Sequence, residues 1–273
     1  MPFPNFDPVL VQLGPIAIRW YGLAYVGGIL LGWRYMVSLV RKTALWGPNG
    51  APATALQIDD LILWITFGII LGGRLGHVLF YTPQLIWQNP IEIFQTWKGG
   101  MSFHGGTLGV LLAVAIFTAR SRLSLLSLGD LVTSAAPMGL LLGRLANFIK
   151  PELWGRTTTV PWGIVFPDAG PLPRHPSQLY EAALEGVILF LVLFVAGRGL
   201  KLLKRPGVIS GLFFLGYGLI RIGLENVRQP DEGMPIFPLG LTMGMMLSAP
   251  MVLGGAWLIW QGLSKPVQAD EPS

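Results

Sequence analysis

Stretches of predominantly apolar residues recur along this chain at positions 16–37, 61–81, 103–119, 131–149, 177–196, 208–225 and 239–260. A helix rises ~1.5 Å per residue, so about 20 apolar residues cross a hydrocarbon layer ~30 Å thick. The pattern predicts an all-α integral membrane protein with about seven transmembrane helices. The first stretch lacks a basic leader and a small-residue cleavage site, so it reads as a retained helix and not as a signal peptide. Two intervening segments carry turn chemistry instead. Residues 82–100 end in W-K-G-G, and residues 151–176 are too rich in proline and glycine for a helix. The second predicts a small extracytoplasmic cap over about 150–176, with a short strand at 162–166. No internal repeat is visible, and residues 1–273 read as one transmembrane domain.

Glycines recur at small-xxx-small spacing: Gly28/Gly32, Gly72/Gly76, Gly105/Gly109, Gly139/Gly143 and Gly240/Gly244. That spacing lets helices approach closely in lipid. Composition agrees with the pattern: 52% of residues are hydrophobic and 12% charged, against roughly a quarter charged in soluble domains. Arg34, Arg41, Lys42, Arg120, Arg122, Arg198, Lys201, Lys204, Arg205 and Lys265 fall on one side of the predicted spans. The other side holds Lys98, Lys150, Arg156, Arg174 and Arg228, with Arg19 at the mouth of the first span. The positive-inside rule makes the first side cytoplasmic, with the N-terminus outside and a polar cytoplasmic tail over about 262–273. The net charge of +5 is then a topology signal, and nucleic acid is not an expected partner. There is no cysteine, which excludes disulfides, thiolate metal sites and cysteine nucleophiles. The three histidines lack metal-ligand spacing, and no metal site is expected.

Ionisable groups inside membrane spans are costly and usually face a polar interior. In this topology Tyr21, Arg74, His77, His104, Arg144, Asn147, Glu181, Glu185, Arg221 and Glu225 all fall in the outer half. Deeper in, the chain offers only residues read as boundary groups: Arg34, Asp59, Asp60 and Asp130. Arg144 and Asn147 are i, i+3 and share a helix face; Arg221 and Glu225, like Glu181 and Glu185, are i, i+4. Two guanidiniums at one depth on different spans suit an anion such as a lipid phosphate. An ion pair explains Arg221 and Glu225 equally well. Glu181 and Glu185 are expected to pair with Arg156, Arg174 or Arg228, while Arg19 and Arg228 suit snorkelling to the interface. His104 suits either proton transfer or a structural role. Tyr21 suits either an aromatic belt or a hydroxyl donor in the pocket. An anionic-lipid translocator would need polar residues across the whole bilayer, and a non-catalytic scaffold would not need the clustered His, Asn and Arg.

Several motifs occur together: R-W-Y-G from Arg19, L-G-G-R ending at Arg74, H-G-G from His104 and G-R-x-x-N-F-x-x-x-E-L-W-G-R from Gly143. R-H-P-S-Q-L-Y-E from Arg174 and G-Y-G-x-x-R-x-x-x-E-x-x-R-Q-P from Gly216 complete the set. In combination, over about residues 6–260, the chain resembles bacterial prolipoprotein diacylglyceryl transferases. The resemblance implies an inner-membrane enzyme with seven spans and no cofactor. Such an enzyme moves the diacylglyceryl group of phosphatidylglycerol onto the lipobox cysteine of a prolipoprotein signal peptide. It implies a phosphate contact at Arg144, a second essential arginine at Arg221, and catalytic importance for His104, Asn147 and Tyr21. Glu152, Gly155, Tyr217 and Glu225 match further functional positions, with Arg74, His175 and Glu181 in support. Ala146 and Lys150-Pro151 depart from the G-R-x-G-N-F-I-N-G-E pattern of the family, replacing a glycine and Asn-Gly.

Overall fold

The computed structural model describes residues 1–265 apart from 5, 15, 97, 98 and 231–236. Lys98 and the tail from 266 onward therefore lie outside the described residues. The chain is not purely helical. Val9–Leu13 (β1) and Ile16–Arg19 (β2) form an antiparallel hairpin in which Val11 faces Ile18 and Leu13 faces Ile16. Gly14 makes its turn at φ 58°, a conformation that costs glycine little. The apolar run starting at 16 thus opens as a strand, because its β-branched and alternating residues find a partner in 9–13. The first helix starts only at Trp20.

That helix, α1, spans Trp20–Val40. The second, α2 (Ala55–Tyr81), starts with a capping box: Gln57 N–H donates to Thr54 Oγ1 at 3.2 Å, and Thr54 N–H to Gln57 Oε1 at 2.9 Å. Residues 82–100, expected as turns, also fold into a short helix α3 (Leu85–Gln88) and a 3-10 turn (Pro90–Phe94). Next come α4 (Phe103–Ser121), capped by Ser102, and α5 (Leu125–Ile149), capped by Ser124. The Ser124 cap starts α5 six residues before the apolar run that predicted it. One rod covers Ser177–Gly199: α6 (Ser177–Glu181), a π-helical segment (Ala182–Ile188), α7 (Leu189–Phe194) and a second π-helical segment (Val195–Gly199). Last are α8 (Val208–Leu224) and α9 (Met243–Ser264).

Among the described residues, six helical spans are long and apolar enough to cross a membrane, and the protein is a multi-pass membrane protein. The other expected span is α8, whose 17 residues rise about 25 Å, short of the ~30 Å hydrocarbon thickness.

Helices α2 and α4 run antiparallel through their glycines. A Cβ on Gly76 would lie 2.7 Å from Gly105 Cα, and one on Gly72 would lie 2.8 Å from Gly109 Cα. The same logic joins α1 to α5, where Gly28 meets Gly139 and Gly32 meets Ala135. Two of the expected packing pairs fail in part. Gly143 faces open space, and Gly240 lies ahead of α9 at φ 73°.

The largest apolar core gathers Leu39, Ile58, Leu61, Leu128, Leu131 and Leu193, from the ends of their helices remote from the cap. Asp130 lies among them and is no boundary residue: it is fully buried. Its Oδ2 accepts Gly207 N–H and its Oδ1 accepts Ser210 N–H, each at 2.7 Å. Helix α8 has no side-chain cap of its own, so α5 supplies one across the interface.

The cap is compact. Gly155 N–H donates to His175 O at 2.9 Å, His175 N–H to Arg156 O at 3.0 Å, and Ile164 and Arg174 exchange backbone bonds. The strand expected at 162–166 contracts to bridges at Ile164 and Val165. Phe148, Ile164 and Phe166 form the cap's own core, with Phe3 and Trp154 against them.

Replacing Asp130 by alanine strands two buried donors, each bonded to a charged group and worth about 1.5–3 kcal/mol. Asp130→Ala is expected to lower the thermal unfolding midpoint of the detergent-solubilised protein by roughly 5–10 °C, with Asp130→Asn losing less.

Candidate active site

Three elements converge under the cap. The last turns of α5 carry Arg144 and Asn147, the start of the α6–α7 rod carries Glu181 and Glu185, and the end of α8 carries Arg221 with Glu225 and Arg228 just beyond. Glu181 is fully buried and stands at the centre. Its Oε1 accepts from Arg221 Nη1 at 2.8 Å and from Arg228 Nη1 at 3.0 Å. Arg144 Nε approaches its Oε2 to 3.1 Å without hydrogen-bond geometry, so this contact is one of charge alone. Arg144 Nη2 also donates to Glu185 Oε2 at 3.3 Å, and Arg221 Nη2 lies 2.7 Å from Glu225 Oε1. Arg144 and Arg221 keep 12% and 14% of their side chains exposed. Nη1 of Arg144 and Nε of Arg221 have no described partner, which leaves donors for an anion.

A second group lies where α5 meets the hairpin. Asn147 Nδ2 donates to Glu152 Oε1 at 2.8 Å, and Lys150 Nζ lies 2.6 Å from Glu152 Oε2. Lys150 Nζ also sits 5.7 Å from the centroid of the half-buried Tyr21 ring. A pocket of about 170 Å³ opens beside them, lined by Pro8, Arg19, Trp20, Tyr21, Ala146, Ile149 and Lys150. A larger, shallower groove of about 380 Å³ between α8 and α9 is lined by Phe214, Pro250 and Trp257 among others. It carries no ionisable group.

The remaining predicted residues are scattered around these groups. Tyr217 faces Arg144, Arg221 and Glu185 from α8, with its ring stacked on Phe213 at 5.9 Å. Gly155 has no room for a side chain, since a Cβ would lie 2.5 Å from Val227 O and 2.7 Å from His175 O. His175 Nδ1 lies 3.2 Å from the Tyr180 hydroxyl, which accepts Trp162 Nε1–H at 2.6 Å. Arg74 is buried and holds the 82–100 segment, donating to the carbonyls of Glu92, Ile93, Gly99 and Gly100. His104 is exposed at the start of α4, its ring 5.8 Å from that of Phe103. No described hydrogen bond, ion pair or ring contact joins His104 to the arginine cluster.

Several expectations need correction. Of the two readings of Arg228, pairing with a glutamate holds and snorkelling fails: it is buried and paired with Glu181, because that carboxylate needs more than one cation. Arg156 and Arg174 do not pair with the glutamates. They donate to backbone carbonyls in the cap, Arg156 to Arg228 and Arg174 to Ala169 and Gly155. Two contributors escaped the sequence reading. Gln178, fully buried, donates to Glu152 O at 2.6 Å and holds the turn into the cap. Gly244 makes room for Glu225: a Cβ there would lie 2.6 Å from the carboxyl carbon. Its spacing to Gly240 suggested helix packing and hid this role. Among the described residues no three His, Asp or Glu side chains gather as a metal site.

Comparison with known proteins bears on the family. The model of the family described as prolipoprotein diacylglyceryl transferase matches residues 8–261. A phosphatidylglycerol–prolipoprotein diacylglyceryl transferase of Phenylobacterium zucineum is 58% identical, with all of both chains covered. Its namesake in Caulobacter vibrioides is 55% identical over 99% of this chain and 98% of its own length. A relative of the same name in Methylocella silvestris is 52% identical over 94% of each. A match over nearly the whole length makes this chain a member of the prolipoprotein diacylglyceryl transferase family.

Proposed function

We propose that this protein transfers the diacylglyceryl group of phosphatidylglycerol to the lipobox cysteine thiol of prolipoproteins, the first step of lipoprotein maturation. The observation that carries the reading at this site is the pair Arg144 and Arg221, held side by side by one buried carboxylate with donors to spare. A planar guanidinium fork matches a phosphodiester. In the reaction the thiolate attacks the glycerol carbon that bears the phosphate. A sulfur–carbon bond forms, the carbon–oxygen bond breaks, and glycerol phosphate leaves with the electron pair. Both arginines stabilise the charge that builds on the leaving oxygen.

In this reading His104 takes the thiol proton and Tyr21 orients the reacting groups. Support comes from connectivity. A short turn joins α4 to α5, so the start of α4 lies at the same end of the bundle as Arg144. Asn147 and Glu152 face the headgroup, Tyr217 and Glu225 keep the arginines in register, and Gly155 keeps the cap closed over them. Seven spans, an outside N-terminus, a cytoplasmic C-terminus and an active site toward the outer leaflet of the bacterial inner membrane complete the proposal. The whole chain acts as one transferase domain in the bilayer. A lipid translocator would need polar side chains free to meet a headgroup at the opposite end too; there the buried Asp130 is engaged in capping α8 amid an apolar core.

Purified protein incubated with phosphatidylglycerol and a lipobox peptide is expected to yield a thioether-linked diacylglyceryl adduct by mass spectrometry; its absence overturns the function. Arg144→Lys is expected to slow adduct formation about 100-fold or more, since a point charge cannot reproduce the fork. Activity near wild type would remove Arg144 from the phosphate. Gly244→Ala should push the Glu225 carboxylate off Arg221 and reduce kcat roughly tenfold in a protein that still folds. Unchanged kinetics would show that Glu225 does not depend on this gap.

A further inference from the structure

The described charges around Glu181 balance one another before any substrate arrives. Among the described residues, the guanidiniums of Arg144, Arg221 and Arg228 meet the carboxylates of Glu181, Glu185 and Glu225. All six side chains are at most 14% exposed. A phosphodiester bound to Arg144 and Arg221 brings one further negative charge into this enclosed space. Excess charge without water or a counterion is expensive in such surroundings.

One member of the cluster is held less firmly than the others. Glu185 is fully buried, and among the described residues its one ion pair is the contact from Oε2 to Arg144 at 3.3 Å, the longer of the two to that arginine. Its Oε1 is enclosed and receives no hydrogen bond. Glu181, by contrast, serves three arginines, and Glu225 has Arg221 at 2.7 Å with Arg228 near by. The other charged and titratable groups facing Glu185 are Glu181 on its own rod, Arg144 on α5, and Arg221 with Tyr217 on α8. The described ion pair of Glu185 is with Arg144, one of the two arginines proposed to take the phosphate. It lies within a π-helical segment, Ala182–Ile188, an irregularity frequent at functional sites.

We propose that phosphatidylglycerol binding brings a proton with it, and that Glu185 receives that proton as the phosphate takes its place on Arg144. The step forms one O–H bond on the carboxylate, with the proton drawn from solvent, and breaks no bond in the lipid. The cluster with phosphate bound then carries no excess charge. During transfer the leaving phosphate gains its second negative charge beside a neutral Glu185 instead of an anionic one. This inference rests on the reading of Arg144 as the phosphate ligand.

The test is calorimetric titration of the full-length protein, in neutral detergent, with short-chain phosphatidylglycerol. Repeating it in buffers of different ionisation enthalpy gives the protons taken up per lipid bound. Wild type is expected to take up about one proton, and Glu185→Gln to bind lipid with none. Buffer-independent heats in the wild type overturn the inference, as does uptake that persists in Glu185→Gln. If that variant does not fold, the wild-type Kd decides: it should rise toward tenfold per pH unit as pH increases, because a proton is consumed on binding. A flat profile overturns the inference. Arg144→Lys separates the two claims: unimpaired lipid binding there removes the phosphate reading itself, whereas weakened binding with no proton uptake in the wild type removes only the role of Glu185.

Discussion

A carboxylate removed entirely from solvent persists only where cations surround it, and Glu181 has three guanidiniums within 3.1 Å. Those cations come from different parts of the chain: Arg144 ends α5, Arg221 ends α8, and Arg228 follows α8. One side chain at the start of the α6–α7 rod therefore fixes two other helix ends. It also fixes the cap, because the Arg228 backbone bridges to Gly155 and accepts the Arg156 guanidinium. Losing one partner of such a buried set leaves the others uncompensated, at roughly 3–5 kcal/mol. The short length of α8 belongs to the same arrangement. Its 17 residues end where Arg221 and Arg228 reach Glu181 and Glu225 reaches Arg221.

The two ends of the bundle are held together by different physics. Lipid tails are as apolar as leucine, so helices gain little from burying leucine against each other in a membrane and rely on close packing. Glycine contacts supply that packing between α2 and α4 and between α1 and α5. The apolar core and the Asp130 cap on α8 close the far end. Under the cap the contacts between α5, the α6–α7 rod and α8 are ionic. Ion pairs specify which side chains meet, as apolar packing does not, and this is the end proposed to recognise the substrate.

The legible part of this design was whatever repeats along the chain. Apolar length gave the spans, and helical spacing put Arg144 with Asn147 and Arg221 with Glu225 on shared faces. The illegible part was whatever depends on a partner far away in sequence. Arg228 stands beyond the apolar run, where it reads alike as an interfacial residue or as one of three candidate partners for the glutamates, and only the fold brings Glu181 beside it and leaves Arg156 and Arg174 on backbone carbonyls. Asp130 looks like a boundary charge until Gly207 and Ser210 turn their N–H groups toward it. The hairpin at 9–19 was lost because an apolar run reads alike as strand or helix when it is taken alone. Gly244 shares a spacing with packing glycines, and only the position of Glu225 distinguishes it.

Lys150 makes sense on the same electrostatic grounds. Glu152 is half-buried beside the substrate end of α5, and Asn147 donates to only one of its oxygens. An amide at position 150 would offer Glu152 a second donor but no charge, leaving an anion beside the site of a phosphate. The ammonium of Lys150, 2.6 Å from Glu152, cancels that anion locally while its position over Tyr21 keeps it at the pocket mouth. Pro151 removes a backbone donor, and it does so immediately after Lys150 caps α5 with its N–H on Ala146 O. The chain then turns upward at once, with Glu152 N–H on Asn147 O at 3.1 Å. Lys150 and Pro151 thus accompany an intact helix end and the Asn147–Glu152 contact, and the ammonium makes this side of the pocket less negative toward the proposed phosphodiester.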